Sequence, residues 1–262
     1  MRLDKEHSYI FHDIDRHGVF TNNVKSMFVN DFTLLARFEP DYEYINKVLE
    51  ERKNNPKFKD SVYNKQCIIG KNGKHIGLFF TSLIDNSGDI VYNVEYEWWQ
   101  NPNIIGEQKP EEDECVAVRF WLGKEPIKTF DVVVEKYNGE FKVNLNGETI
   151  SEPHTNIIDY SNSFVWVGAA NRLLDDTDEY DHDFACVYTG DLLLLHNQEA
   201  KMFEKTKEIF FKDYKKFKDK GFKTKEDVVY VSTDFSEVTP YKVRDFSGNG
   251  THPLLYNKEW IG

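Results

Sequence analysis

The sequence predicts an all-β protein, and three observations carry that prediction. Of its 262 residues, 20 are Phe, 14 Tyr and 5 Trp, a richness that suits sheets better than helix bundles. Short runs dense in Val, Ile, Phe, Tyr and Trp recur along the chain, many alternating with period two. Two Asn-Gly pairs, Asn138-Gly139 and Asn146-Gly147, stand between such runs. Their tolerance of positive φ suits tight hairpins.

The candidate strands are 24–29, 32–38, 66–70, 75–82, 90–99, 115–121, 128–136, 140–145, 164–168, 184–196 and 228–235. The clearest unit runs from Phe130 to Gly147. Phe141, Val143 and Leu145 face one way, Lys142 and Asn144 the other, and the Asn-Gly turns fold the stretch into a β-meander. Two segments break the pattern. Residues 41–59 read as a short, charged surface helix or an insertion loop. Residues 197–220 read as a better helix, with Asn197 as N-cap and Gly221 just past the end. Phe203, Phe210, Tyr214 and Phe217 fall near one stripe and lysines cover the rest, as in a helix packed outside a sheet. Loops 101–113 and 173–183 are long and polar, and sandwich loops of this kind often carry binding sites. No repeat or low-complexity linker divides the chain, so one domain over 1–262 is expected.

Lysine and arginine number 33 against 45 acids, a formal net charge of −12 at pH 7. Phosphate binding needs the opposite sign, which disfavours nucleic acid as a main partner. No run has the length and apolarity of a membrane span or a signal peptide, so no membrane insertion is expected. Synthesis in the cytoplasm follows, with a virion or the cell surface as open destinations. Cys67, Cys115 and Cys186 are far apart, form no CxxC and sit in apolar runs. Small buried hydrophobes are the expected role, with a disulfide between two of them left open.

One succession of segments is more specific than any single motif. Residues 132–147 read strand, Asn-Gly turn, strand, Asn-Gly-Glu. Phe164-Val165-Trp166-Val167-Gly168 is a strand ending in glycine. Tyr188-Thr189-Gly190-Asp191 leads into Leu192-Leu193-Leu194-Leu195, and Asp245-Phe246-Ser247-Gly248-Asn249-Gly250 forms a turn. Across roughly residues 20 to 256 this order resembles laminin-G-like and concanavalin A-like lectin-glucanase domains. Those domains usually carry the last turn near their N-terminus, so its place here is a departure. The resemblance implies an antiparallel two-sheet jelly-roll sandwich, to which a long amphipathic helix at 198–220 is appended. Members of that family bind glycans or proteins, serve as virion or cell-surface modules, or act as glycoside hydrolases and polysaccharide lyases.

Val94-Glu95-Tyr96-Glu97-Trp98-Trp99-Gln100 holds the strongest enzyme candidate. In a strand Glu95 and Glu97 share a face, and retaining glycosidases need two carboxyl groups about 5–5.5 Å apart. Similarity to the laminarinase-type Glu-x-Asp-x-x-Glu implies Glu95 as nucleophile and Glu97 in place of the assisting Asp. Position 99 or 100 should then supply the acid, and neither Trp99 nor Gln100 can protonate a leaving group. A strand face with two acids is the simpler account. No catalytic residue is therefore expected, and Glu95 with Glu97 remains the hydrolase or lyase alternative.

Tyr92, Tyr96, Trp98, Trp99 and Trp121 offer flat faces for stacking on pyranose rings, and the first four form the expected ligand-binding set. Alternation turns Trp98 and Trp99 to opposite faces, so at least one belongs to the core. The loop 175–183 carries six acids in nine residues. Its spacing is not that of an EF-hand, but Ca²⁺ seeks several oxygen ligands, and Asp176, Asp178 and Asp181 are the preferred ones. The cluster His12-Asp13-Ile14-Asp15-Arg16-His17 lacks a recognised metal spacing and reads as irregular surface. The function expected from the sequence is a non-catalytic recognition or structural module, glycan-binding, within a phage virion or a polysaccharide-handling system. A ligand-free capsid or tail assembly protein with protein partners is the rival outside enzymology.

Overall fold

The computed structural model describes residues 7–11, 31–56, 62–71, 76–100, 114–154, 157, 165–167, 188–196, 208, 211, 228–232 and 254–257. In chain order the strands are β1 (His7–Phe11), β2 (Phe32–Pro40), β3 (Tyr63–Lys71), β4 (Ile76–Ile84), β5 (Ile90–Gln100), β6 (Glu114–Gly123) and β7 (Phe130–Tyr137). There follow β8 (Glu140–Leu145), β9 (Glu148–Pro153), β10 (Val165–Val167), β11 (Tyr188–His196), β12 (Val228–Ser232) and β13 (Leu254–Asn257). One sheet has the order β13-β1-β10-β3-β4-β5-β6 and the other β12-β11-β2-β7-β8-β9. All the strand pairs are antiparallel. The fold is a two-sheet jelly-roll sandwich.

Alternation builds the core. Phe32, Leu34, Ala36 and Phe38 of β2, Phe130, Val132 and Val134 of β7, and Phe141, Val143 and Leu145 of β8 are buried. They meet Leu78 and Phe80 of β4, Tyr92, Val94, Tyr96 and Trp98 of β5, and Val118 and Phe120 of β6. Aromatic pairs tie the sheets together: Phe38 to Phe80 at 6.5 Å, Tyr96 to Phe141 at 5.2 Å and Trp98 to Phe141 at 4.3 Å between centroids. Burying each such side chain contributes about 1.5–3 kcal/mol.

Helix α1 (Tyr42–Lys53) joins β2 in one sheet to β3 in the other. It is more than the charged surface helix expected from its sequence. Ile45 and Leu49 are fully buried in the shared core, and the Tyr42 ring meets Phe80 and Tyr92 edge-on. The Tyr42 hydroxyl donates to the Ile127 carbonyl at 2.7 Å, fastening the helix to the approach to β7.

The hairpins form as the Asn-Gly pairs require. Asn138 and Gly139 have φ of 51° and 78°, Asn146 and Gly147 of 49° and 99°, the double positive φ of a type I′ turn. The Asn146 side chain accepts from the Asp131 amide at 2.8 Å, locking the second turn onto β7. Cys115 departs from expectation. It is exposed and unbridged, because β6 is the edge strand and its alternate residues look outward.

Of the helix expected at 198–220, only Glu208 and Phe211 are described, both helical. Phe211 lies beneath the Arg37 guanidinium, 5.6 Å from the ring centroid, on the outer side of β2. Candidate strand 24–29, the His12–His17 cluster, loops 101–113 and 173–183, and the Asp245–Gly250 turn lie outside the described residues.

Candidate binding face

The outer face of the seven-stranded sheet collects polar side chains through register alone. Lys65 stands opposite Thr81, Thr81 opposite Asn93, and Asn93 opposite Trp121, one row across four strands. In the next row Phe79, Glu95 and Arg119 are aligned, and beyond it Gly77, Glu97 and Ala117. Gly77 is obligatory, since a Cβ there would stand 2.2 Å from the Ile69 carbonyl oxygen.

Ionic contacts join these rows. The Lys65 ammonium is 2.5 Å from Glu97 Oε2 and 3.3 Å from Glu95 Oε1, which brackets those two oxygens within about 6 Å of each other. Glu95 also accepts from Thr81 Oγ1 at 2.8 Å and from Arg119 Nε at 2.7 Å. The Lys65 ammonium lies 4.3 Å from the Phe79 ring centroid, a cation–π contact beneath the ion pairs.

The two carboxyl groups are pushed in opposite directions. Burial acts first on Glu95 and would raise it, but Lys65, Arg119 and the Thr81 hydroxyl together hold it below its ordinary value. Burial dominates at Glu97 and, with repulsion from Glu95, raises it against the pull of Lys65. Ionisation is thus favoured at Glu95 and disfavoured at Glu97. An anion held by three donors is a poor nucleophile, the role that the resemblance implied for Glu95.

The accessible edge of this network is β6. Arg119 keeps 41% of its side chain exposed while bonded to Glu95, and Trp121 is 67% exposed. The guanidinium carbon sits 5.8 Å from the Trp121 ring centroid. In register with Trp121, Asn93 is 2% exposed, and its Oδ1 has no hydrogen-bond partner among the described residues.

Three of the four expected stacking aromatics belong elsewhere. Tyr92, Tyr96 and Trp98 are buried between the sheets, and a ring enclosed by protein cannot lie on a sugar. Trp99 is half-buried and packs against the same core. Of the five aromatics considered for stacking, Trp121 is the exposed one. Asp176, Asp178 and Asp181 lie outside the described residues. Among the described residues no group of three His, Cys, Asp or Glu is arranged to hold a metal ion.

Lys65 and Arg119 escaped the sequence reading. Arg119 had left a signal, a charge inside the alternating run Val118-Arg119-Phe120-Trp121. Nothing in the sequence marked Lys65 as the partner of two acids thirty residues away.

No protein-family model matches the chain, and no curated protein matches it. Among solved structures it is similar to alginate lyase AlyC3 in complex with dimannuronate, at 15% identity and a TM-score of 0.33. That alignment covers 64% of this chain and 65% of that one. It is also similar to an alginate lyase from Alteromonas sp. 272, at 12% identity and a TM-score of 0.28, over 63% of this chain and 68% of that one. Likeness this shallow assigns neither a substrate nor a residue role to this chain.

Proposed function

We propose that this chain is a non-catalytic glycan-recognition module of concanavalin A-like type, with its binding face on the outer side of β6 and β5. One observation carries the reading: Trp121 is exposed beside a guanidinium that a buried carboxylate holds in place. A flat, solvent-facing indole next to fixed donors is the usual chemistry of pyranose recognition, with stacking for the ring and hydrogen bonds for its hydroxyls. The test is a glycan array with purified protein and a Trp121→Ala variant of unchanged thermal stability. Binding that the variant loses supports the reading; retained binding in the variant, or no binding in either protein, sinks it. Running the array with calcium and then with a chelator tests the proposed rim ion at Asp176, Asp178 and Asp181, whose loss should abolish binding.

A second reading is favoured by the opposed shifts of Glu95 and Glu97, since paired groups driven apart mark acid–base sites. As a hydrolase or lyase, the chain would use Glu97 to move the proton and Glu95 to stabilise positive charge. Glu97→Gln should then abolish turnover of a glycan that the protein binds. Absence of any turnover by the native protein on its bound glycans removes this alternative.

A further inference from the structure

We infer that the glycan taken by this face is uncharged. The inference rests on the glycan-binding reading above and adds the class of ligand. Uronate or sulfate groups need cations with charge to spare, and this face supplies none among the described residues. Lys65 stands between Glu95 and Glu97, Arg119 is bonded to Glu95, and Lys124, just past β6, is paired with Asp89. The two cations and two carboxylates of the central network cancel, within a chain of net charge −12. An approaching polyanion meets a neutral patch in a negative field.

The same arrangement suits hydroxyl groups. Arg119 bonds Glu95 through Nε, and its Nη donors, without a hydrogen bond among the described residues, carry a charge that Glu95 already compensates. Stacking on Trp121 and donors whose charge is already compensated together suit neutral hexose chains.

Isothermal titration of the full chain against neutral hexasaccharides (β-glucan and β-mannan series) and an alginate hexamer tests this, each at low and high NaCl. The expected result is tightest binding to a neutral series, with Kd changing less than about twofold between 50 and 500 mM NaCl, since screening acts on charges. Tighter binding to alginate, weakened about tenfold or more by that salt step, overturns the inference while leaving the glycan reading intact. No binding to either class overturns both. A Glu95→Gln variant sharpens the result: uncovering Arg119 and Lys65 should shift the ratio of neutral to alginate affinity toward alginate. If that variant does not fold, the salt dependence of the native protein still decides.

Discussion

The two faces of β5 are built from alternate residues of one eleven-residue strand and obey different rules. Inward, Tyr92, Val94, Tyr96 and Trp98 pack among aliphatic and aromatic side chains, where volume decides, with the Tyr92 hydroxyl and the Trp98 indole N–H donating to Asn46 Oδ1 and Gln100 Oε1. Outward, Asn93, Glu95 and Glu97 are nearly as deeply buried, at 2%, 3% and 6% exposure, yet the two acids depend on particular partners. Losing a contact inward leaves a cavity; losing one outward leaves an uncompensated charge. A strand can therefore be equally buried on both sides and robust on only one.

The largest test of that difference is Lys65→Met. Removing the cation shared by Glu95 and Glu97 should cost about 3–5 kcal/mol, the penalty of breaking a buried pair from one side. Denaturant unfolding measures it. The triple variant Lys65→Met with Glu95→Leu and Glu97→Leu should recover most of that loss, because apolar replacement of a whole buried network is often neutral. A triple variant as unstable as the single one would show that the outer face obeys the inner rule after all.

Trp98→Ala probes the inner face alone and should cost about 3–5 kcal/mol through the cavity left against Phe141. It should leave glycan binding by the refolded protein unchanged, in contrast to Trp121→Ala.

The pH dependence separates the two outer acids. Glu95 is lowered by folding, so its stabilisation is present above the ordinary value of 4.5 and is lost as pH falls through its folded-state value. Glu97 is raised, so its contribution is present below 4.5 and is lost as pH rises through its folded-state value. Between about pH 3 and pH 7 the native protein should therefore gain on Glu95→Gln over the part below 4.5 and lose ground to Glu97→Gln over the part above it, as pH rises. Denaturation midpoints across that range read both slopes, and slopes of the same sign would refute the opposed assignment.

The smallest effect belongs to the outer face of the other sheet. Arg37 and Asp131 form a two-pronged ion pair at 2.6 and 2.5 Å, but both are partly exposed. Arg37→Ala should cost about 1 kcal/mol or less, which places solvent access, and not ion pairing itself, behind the fragility of the Lys65 network.

Local chemistry made much of the fold legible. The meander through Phe130–Gly147 needed only alternation and two Asn-Gly turns, both of which act within a few residues. Three strands left no such trace. β9 is exposed along nearly its whole length and ends in Pro153, so it carries no hydrophobic alternation, and an edge strand needs none. β1 and β13 are five and four residues long. They are strands because they pair with each other, and β1 also with β10, contacts between distant parts of the chain.

The candidate face divides in the same way. By itself the sequence determined that Glu95 and Glu97 share a side of their strand and that Trp98 and Trp99 do not, because the pleat has period two. It could not say which side is the core. That choice was made when the sheets closed on each other and Phe141 met Trp98 and Tyr96, burying the aromatics that looked best suited to stacking. Only the registers of β3 with β4, β4 with β5 and β5 with β6 brought Lys65, Thr81, Asn93, Arg119 and Trp121 to the acids. Register is a property of paired strands, so no single stretch of sequence contains it, and the charge balance of this face is decided there.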